Sequence, residues 1–241
     1  MSRFDKVFRN RRVFLPVIHH KSLGHALESI RTCVRAGADG VLLINQGTFV
    51  GDDLGALATL RDNARAEHPG LWVGVNLLGI SVGGFHGYDA TWADNAYPQG
   101  AEPRPAYLDR MEQWREAESR PNYLYLGGVA FKYQPRVKPE DLATLTMQAA
   151  QDMDVVVTSG DCTGSPPRPE KIRTMRKAAE VMASLGSATP IGIASGISAS
   201  NVRDYLADAR VFIVASSIED SFGVINYDRA ARLADLIHRP T

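Results

Sequence analysis

Short apolar runs recur along the chain, and between most of them the apolar residues return every three or four positions instead. The first pattern is that of strands buried on both faces, the second that of helices with one buried stripe. Strands that alternate with helices pair in parallel through right-handed crossovers, and about eight such units in roughly 250 residues close into a (β/α)8 TIM barrel. At 241 residues the chain has the length for one such domain, 1–241. An open doubly wound sheet is the other arrangement that the alternation permits.

In order, 13–20 reads as a strand, followed by a helix from about Gly24 with Ala26, Ile30, Cys33 and Val34 on one face and Gly37 at its end. A strand at 40–45 leads into a helix from Asp52 or Asp53 that carries Leu54, Leu57, Leu60 and Ala64 and stops before Pro69. The third strand is 71–78. The Gly-rich stretch 79–87 is too short for an ordinary crossover helix, and a fourth strand is assigned to 88–95. A Pro-rich loop, 96–104, a helix over 105–119 and a fifth strand over 122–132 follow. Pro139 opens a helix through Leu142, Leu145 and Ala149, ahead of a sixth strand at 153–160 and a helix through Ile172, Met175 and Ala179. The seventh unit starts at Pro190 with a helix over 199–207, and the eighth is the strand 211–217 with a helix through Ala230, Leu233 and Leu236.

The 27 basic and 27 acidic residues cancel, so overall charge favours neither nucleic acid nor an anionic membrane. No apolar run approaches the roughly 18 residues of a membrane span, and residues 1–12 lack a signal peptide's apolar centre. Two cysteines far apart, Cys33 and Cys162, suit a reducing compartment, so the expected location is the cytoplasm. The expected partner is a small molecule, with no nucleic acid and no membrane insertion; a homo-oligomer is left open. No motif calls for a cofactor. His19 and His20 are adjacent, face opposite sides of a strand, and give no metal-ligand spacing.

Residues 190–202 change from strand to helix within a few positions. Gly196 permits the tight turn and Ser198 is placed to cap the helix, so Ser195 and the amides of Gly196 and Ile197 form a candidate phosphate seat. Ser216 and Ser217 end the next strand, and the loops after strands seven and eight of such barrels are where phosphate is held. Gly223 offers a further amide, and Gly196→Asp is expected to remove anion binding with the fold intact. The alternative is an ordinary left-handed turn.

Three stretches, 154–164, 190–202 and 212–217, resemble the successive late-strand motifs of the BtpA family in order and spacing. The resemblance covers about the last third of the chain. The family has Gly where this chain has Ala215, and the run after the first-strand His differs here, with Lys21-Ser-Leu-Gly24 in its place. It implies a TIM barrel of the phosphate-binding superfamily, and a role in photosystem I accumulation is attached to some members.

At the other strand ends, Lys132 is read as pointing to the mouth in register with Leu126 and Gly128, as a charge partner of an anion or as a Schiff-base amine. Asp161 is a candidate general base, or else a turn cap. Asn76, and with it Asn45, either orients a ligand hydroxyl or carbonyl or braces a loop. Asp89, Asp94 and Asn95 are further candidates near strand four. The function expected is isomerase or lyase chemistry on a phosphorylated metabolite, with Lys132, Asp161 and Asn76 at the reacting end. The alternatives are a non-enzymatic assembly or regulatory protein with a vestigial anion site, and a Schiff-base aldolase.

Overall fold

Eight short strands are paired in parallel in sequence order, and β1 (Val13–His19) closes the ring on β8 (Val211–Val214), with Val13 opposite Val211 and Pro16 opposite Val214. The chain is thus a closed barrel, as its alternation predicts. The computed structural model describes residues 1–9, 11–45, 50–78, 84–96, 107–184, 186 and 189–239. The expectations for 79–83, for 97–104 within the Pro-rich loop and for a helix start at Pro105 lie outside the described residues.

Side-chain alternation divides each strand between two cores. Val13, Leu15 and Val17 of β1 join Leu42 and Ile44 of β2 (Val41–Ile44), Ala90 and Trp92 of β4 (Ala90–Ala93) and Leu124 and Leu126 of β5 (Leu124–Gly128) inside the ring. Phe14 and Ile18 face outward with Leu43, Val75 of β3 (Val73–Asn76) and Val156 of β6 (Val155–Thr158), against the helices. The interior is packed solid: a Cβ on Gly74 would lie 2.6 Å from Leu42 Cδ2. Of the helices, α1 (Arg3–Phe8) precedes the barrel, α2 (Leu23–Arg35) follows β1 and α3 (Val50–Glu67) follows β2. After β4, β5 and β6 come α4 (Tyr107–Ala117), α5 (Leu142–Asp152) and α6 (Pro169–Ser184); α7 (Tyr227–His238) ends the chain.

Helix α1 was not legible in the sequence. Its Phe4 and Phe8 belong to the interior core and close the N-terminal end of the barrel, where Phe8 meets Trp72 at 5.2 Å between ring centroids. On that same end a device repeats every second strand. Asp39, Asp89 and Asp154 each precede an even strand and accept the amide of a residue in the strand before: Phe14 at 2.7 Å, Val73 at 2.8 Å and Tyr125 at 2.7 Å. Arg11, Arg65 and Arg115 pair with these three carboxylates in turn. Clasps at the N-terminal face of a barrel serve stability and leave the opposite face to the ligand.

Four expectations need correction. The expected helix over 199–207 is only a 3-10 turn, Val202–Asp204, beyond β7 (Ile191–Ile193). Strand β5 stops at Gly128 instead of reaching Lys132, because Ala130 takes a left-handed φ of 49° and turns Phe131 into the interior core. The strand assigned to 211–217 ends at Val214 and passes into a 3-10 turn, Ser216–Ile218. The helix expected from Pro139 begins at Leu142. A hairpin that the sequence did not announce, β9 (Glu219–Ser221) with β10 (Val224–Ile225), follows that turn.

Candidate functional site

The C-terminal ends of the strands carry the polar residues that continue the inward rows. Asn76 ends β3, is 1% exposed, and its Nδ2 donates to Asp94 Oδ1 at 2.9 Å. Asp94 stands one step beyond β4 in the row of Ala90 and Trp92. Burial pushes its carboxyl above the ordinary carboxylate value, against the opposing effects of the Asn76 hydrogen bond and the Lys132 charge. Asn76, Asp94 and Lys132 therefore converge at the mouth, and the sequence alone did not choose Asp94 from its neighbours. Asp89, by contrast, serves the opposite face in its clasp. Asn45 braces a loop: its Oδ1 accepts the Leu78 amide at 2.7 Å.

Lys132 is held through its backbone. Its amide donates to Ser159 Oγ at 2.7 Å, and that hydroxyl in turn donates a hydrogen bond to Gly160 O at 2.9 Å. Below it Phe131 meets Trp92 edge-on at 6.3 Å, which gives the mouth an aromatic floor. His19, which shares the inward parity of Val17, lies on the far side of the ring under the hairpin. Phe222 covers its ring at 4.4 Å and Glu219 Oε1 is 3.9 Å from its Nε2. Burial, and then the Lys21 charge, hold the His19 imidazole below its ordinary value, and burial raises Glu219. Gly223 does not supply a free amide, since its N–H serves the Glu219 carboxylate.

At β7 and β8, which pair side by side, the backbone turns sharply. Gly196 has φ +64°, and a Cβ there would lie 2.2 Å from Pro166 N, so Gly196→Asp would push the β6 loop away, contrary to the expectation of an intact fold. Ser195 Oγ donates to Cys162 O at 3.0 Å, tying the β7 loop to the β6 loop, and Ser217 Oγ donates to Ile197 O at 2.5 Å, tying the β8 loop to the β7 loop. Ser216 is exposed. Among the described residues the amides of Gly196, Ile197, Ser216 and Ser217 meet no acceptor. Four backbone donors on two adjacent loops can bind an anion without a long helix behind them.

Asp161 is placed elsewhere. It is exposed and lines a cavity of about 380 Å³ beside the β5 and β6 loops, next to Lys171 of α6. Lys171 was missed in sequence. Its Nζ donates to Ala130 O at 2.7 Å and to Ser159 O at 2.8 Å, and burial lowers it to about 8, against the charge of Asp161. Cys33 is buried, Cys162 is exposed, and both are free thiols. Among the described residues no group of three His, Cys, Asp or Glu is placed to hold a metal, and no helix is long and apolar enough to cross a membrane.

With this geometry in place, solved structures offer a comparison. (S)-3-O-geranylgeranylglyceryl phosphate synthase from Thermoplasma acidophilum, crystallised with its substrate sn-glycerol-1-phosphate, superposes with a TM-score of 0.68 at 14% identity over 99% of both chains. Tryptophan synthase from Mycobacterium tuberculosis superposes with a TM-score of 0.64 at 16% identity, again over 99% of each chain. The likeness is one of fold. No family model and no curated protein matches the sequence.

Proposed function

We propose that this chain is a barrel protein that holds the phosphate of a small phosphorylated molecule on the loops after β7 and β8. The single observation that carries the reading is the set of unpartnered amides at Gly196, Ile197, Ser216 and Ser217 on neighbouring loops. Ser195 fixes the first loop through Cys162 O, and the similar synthase barrel with bound sn-glycerol-1-phosphate lends support by analogy of fold. The resemblance of the late-strand motifs to the BtpA family points the same way and belongs to this proposal.

The reacting end of the ligand lies toward Asn76, Asp94 and Lys132, and the reaction is proton transfer of the isomerase or lyase kind. Asp94 with its raised carboxyl is suited to take and return a proton, Asn76 orients it, and Lys132 supplies positive charge to an oxyanion that develops beside it. Asp161 stands apart from this end, in the cavity beside Lys171. Ser216→Asp tests the seat, because an exposed side chain can accept a carboxylate without repacking. Inorganic phosphate binding, measured by calorimetry, should weaken about tenfold or more, the worth of a lost charge-assisted contact, with the melting temperature unchanged. Equal affinity in both proteins would refute the assignment.

A further inference from the structure

We propose that the cavity enclosed by the β5 loop, the β6 loop and helices α5 and α6 is a second ligand site, and that it takes a small organic anion with an apolar body. The site lies outside the strand ring, for its walls include Leu142 of α5 and Thr174 of α6. At about 380 Å³ it falls in the size range of small-molecule pockets.

The charge balance around it is the first argument. Arg136, Arg168 and Lys171 line the cavity, with Lys132 on its border toward the mouth, against only Asp161 and Glu170, and among the described residues none of these cations has an ion-pair partner within 4 Å. By contrast, Arg3, Arg31, Arg65, Arg115, Arg176 and Arg210 are each paired with a carboxylate. Unspent cations that converge on one hollow are the complement of an anion.

Construction of the site is the second argument. Two N–H groups of Lys171 are taken up by the carbonyls of Ala130 and Ser159, which leaves a third donor for the cavity that Lys171 lines. Those carbonyls belong to the β5 and β6 loops, so the ammonium is held by both. Thr163 N and Tyr133 Oη, 3.1 Å apart, join the two loops again nearer the solvent. Val137, Pro139 and Leu142 supply apolar wall, which a bare inorganic ion would leave uncovered. A ring or short chain bearing one carboxylate, sulfonate or phosphate satisfies both halves.

The test titrates 2-naphthoate into the full chain at low ionic strength, by calorimetry. Saturable binding at one site is expected, and the double substitution Arg136→Ala/Arg168→Ala should weaken it about tenfold or more, since both side chains are exposed and their loss leaves the fold in place. Ser216→Asp should leave naphthoate binding unchanged, which separates this site from the phosphate seat. The proposal is overturned by an absence of saturable binding, by equal affinity in the double variant, or by loss of naphthoate binding in Ser216→Asp.

Discussion

Gly196→Ala measures how tightly the β7 turn is built. The alanine would have to keep φ +64°, a left-handed conformation that costs a non-glycine residue about 1–2 kcal/mol. Its Cβ would also stand 2.2 Å from Pro166 N and 2.4 Å from Ser165 C, both backbone atoms that have no rotamer to escape into. Forcing them apart adds the cost of overpacking, about 1–3 kcal/mol, for a total of about 2–5 kcal/mol. In a chain of this size each kcal/mol moves the melting temperature by about 2–4 °C, so a fall of roughly 10 °C is expected. Gly164→Ala is the control: it has φ +82° with nothing within 4 Å of a Cβ, and it carries only the conformational cost. Urea unfolding with linear extrapolation compares the two. Equal losses would refute the contact between the β7 turn and the β6 loop, and no loss in either would refute the left-handed backbone.

Asp154→Ala should cost about 1–3 kcal/mol in the same assay, because it strips the buried Tyr125 amide of its acceptor and leaves Arg115 with only the half-exposed Glu112 as its partner. A loss below about 1 kcal/mol would show that this clasp is not structural. The pH dependence has a definite sign. Lys171 titrates at about 8 in the folded protein against 10.5 for an ordinary lysine, so between those values the unfolded chain binds more protons and stability rises with pH. Below pH 8 both states are protonated and the burial penalty is fully present. Lys171→Met should flatten the rise between pH 8 and 10.5, and an identical profile would contradict the burial of the amine.

The barrel was legible because its strands are buried on both faces and its helices on one, so Val41–Ile44 announces itself as a short apolar run and Ala26-to-Cys33 by its helical spacing. What failed were the places where side chains compete with the backbone. The helix expected at 199–207 is displaced by local bonds: Asn201 accepts the Ser198 amide at 2.9 Å and donates to Gly196 O at 2.8 Å. Strand five was read too long because nothing in the letters around Ala130 shows a left-handed residue. Within the site, Asn76 was placed correctly at the end of its strand by parity, whereas Asp94 could not be told from Asp89 until the strand was seen to begin at Ala90. Lys171 left no signal, since its partners lie 41 and 12 residues away in the chain. The hairpin over His19 likewise depends on contacts between the first and last strands.

The central claim is that a phosphate group sits between the β7 and β8 loops, and a crystal of the protein soaked in inorganic phosphate tests it most directly. The account predicts tetrahedral density within hydrogen-bond reach of the Gly196, Ile197, Ser216 and Ser217 amides, lost in Ser216→Asp. Phosphate bound only in the cavity beside Lys171, with the four amides left to water, would contradict it.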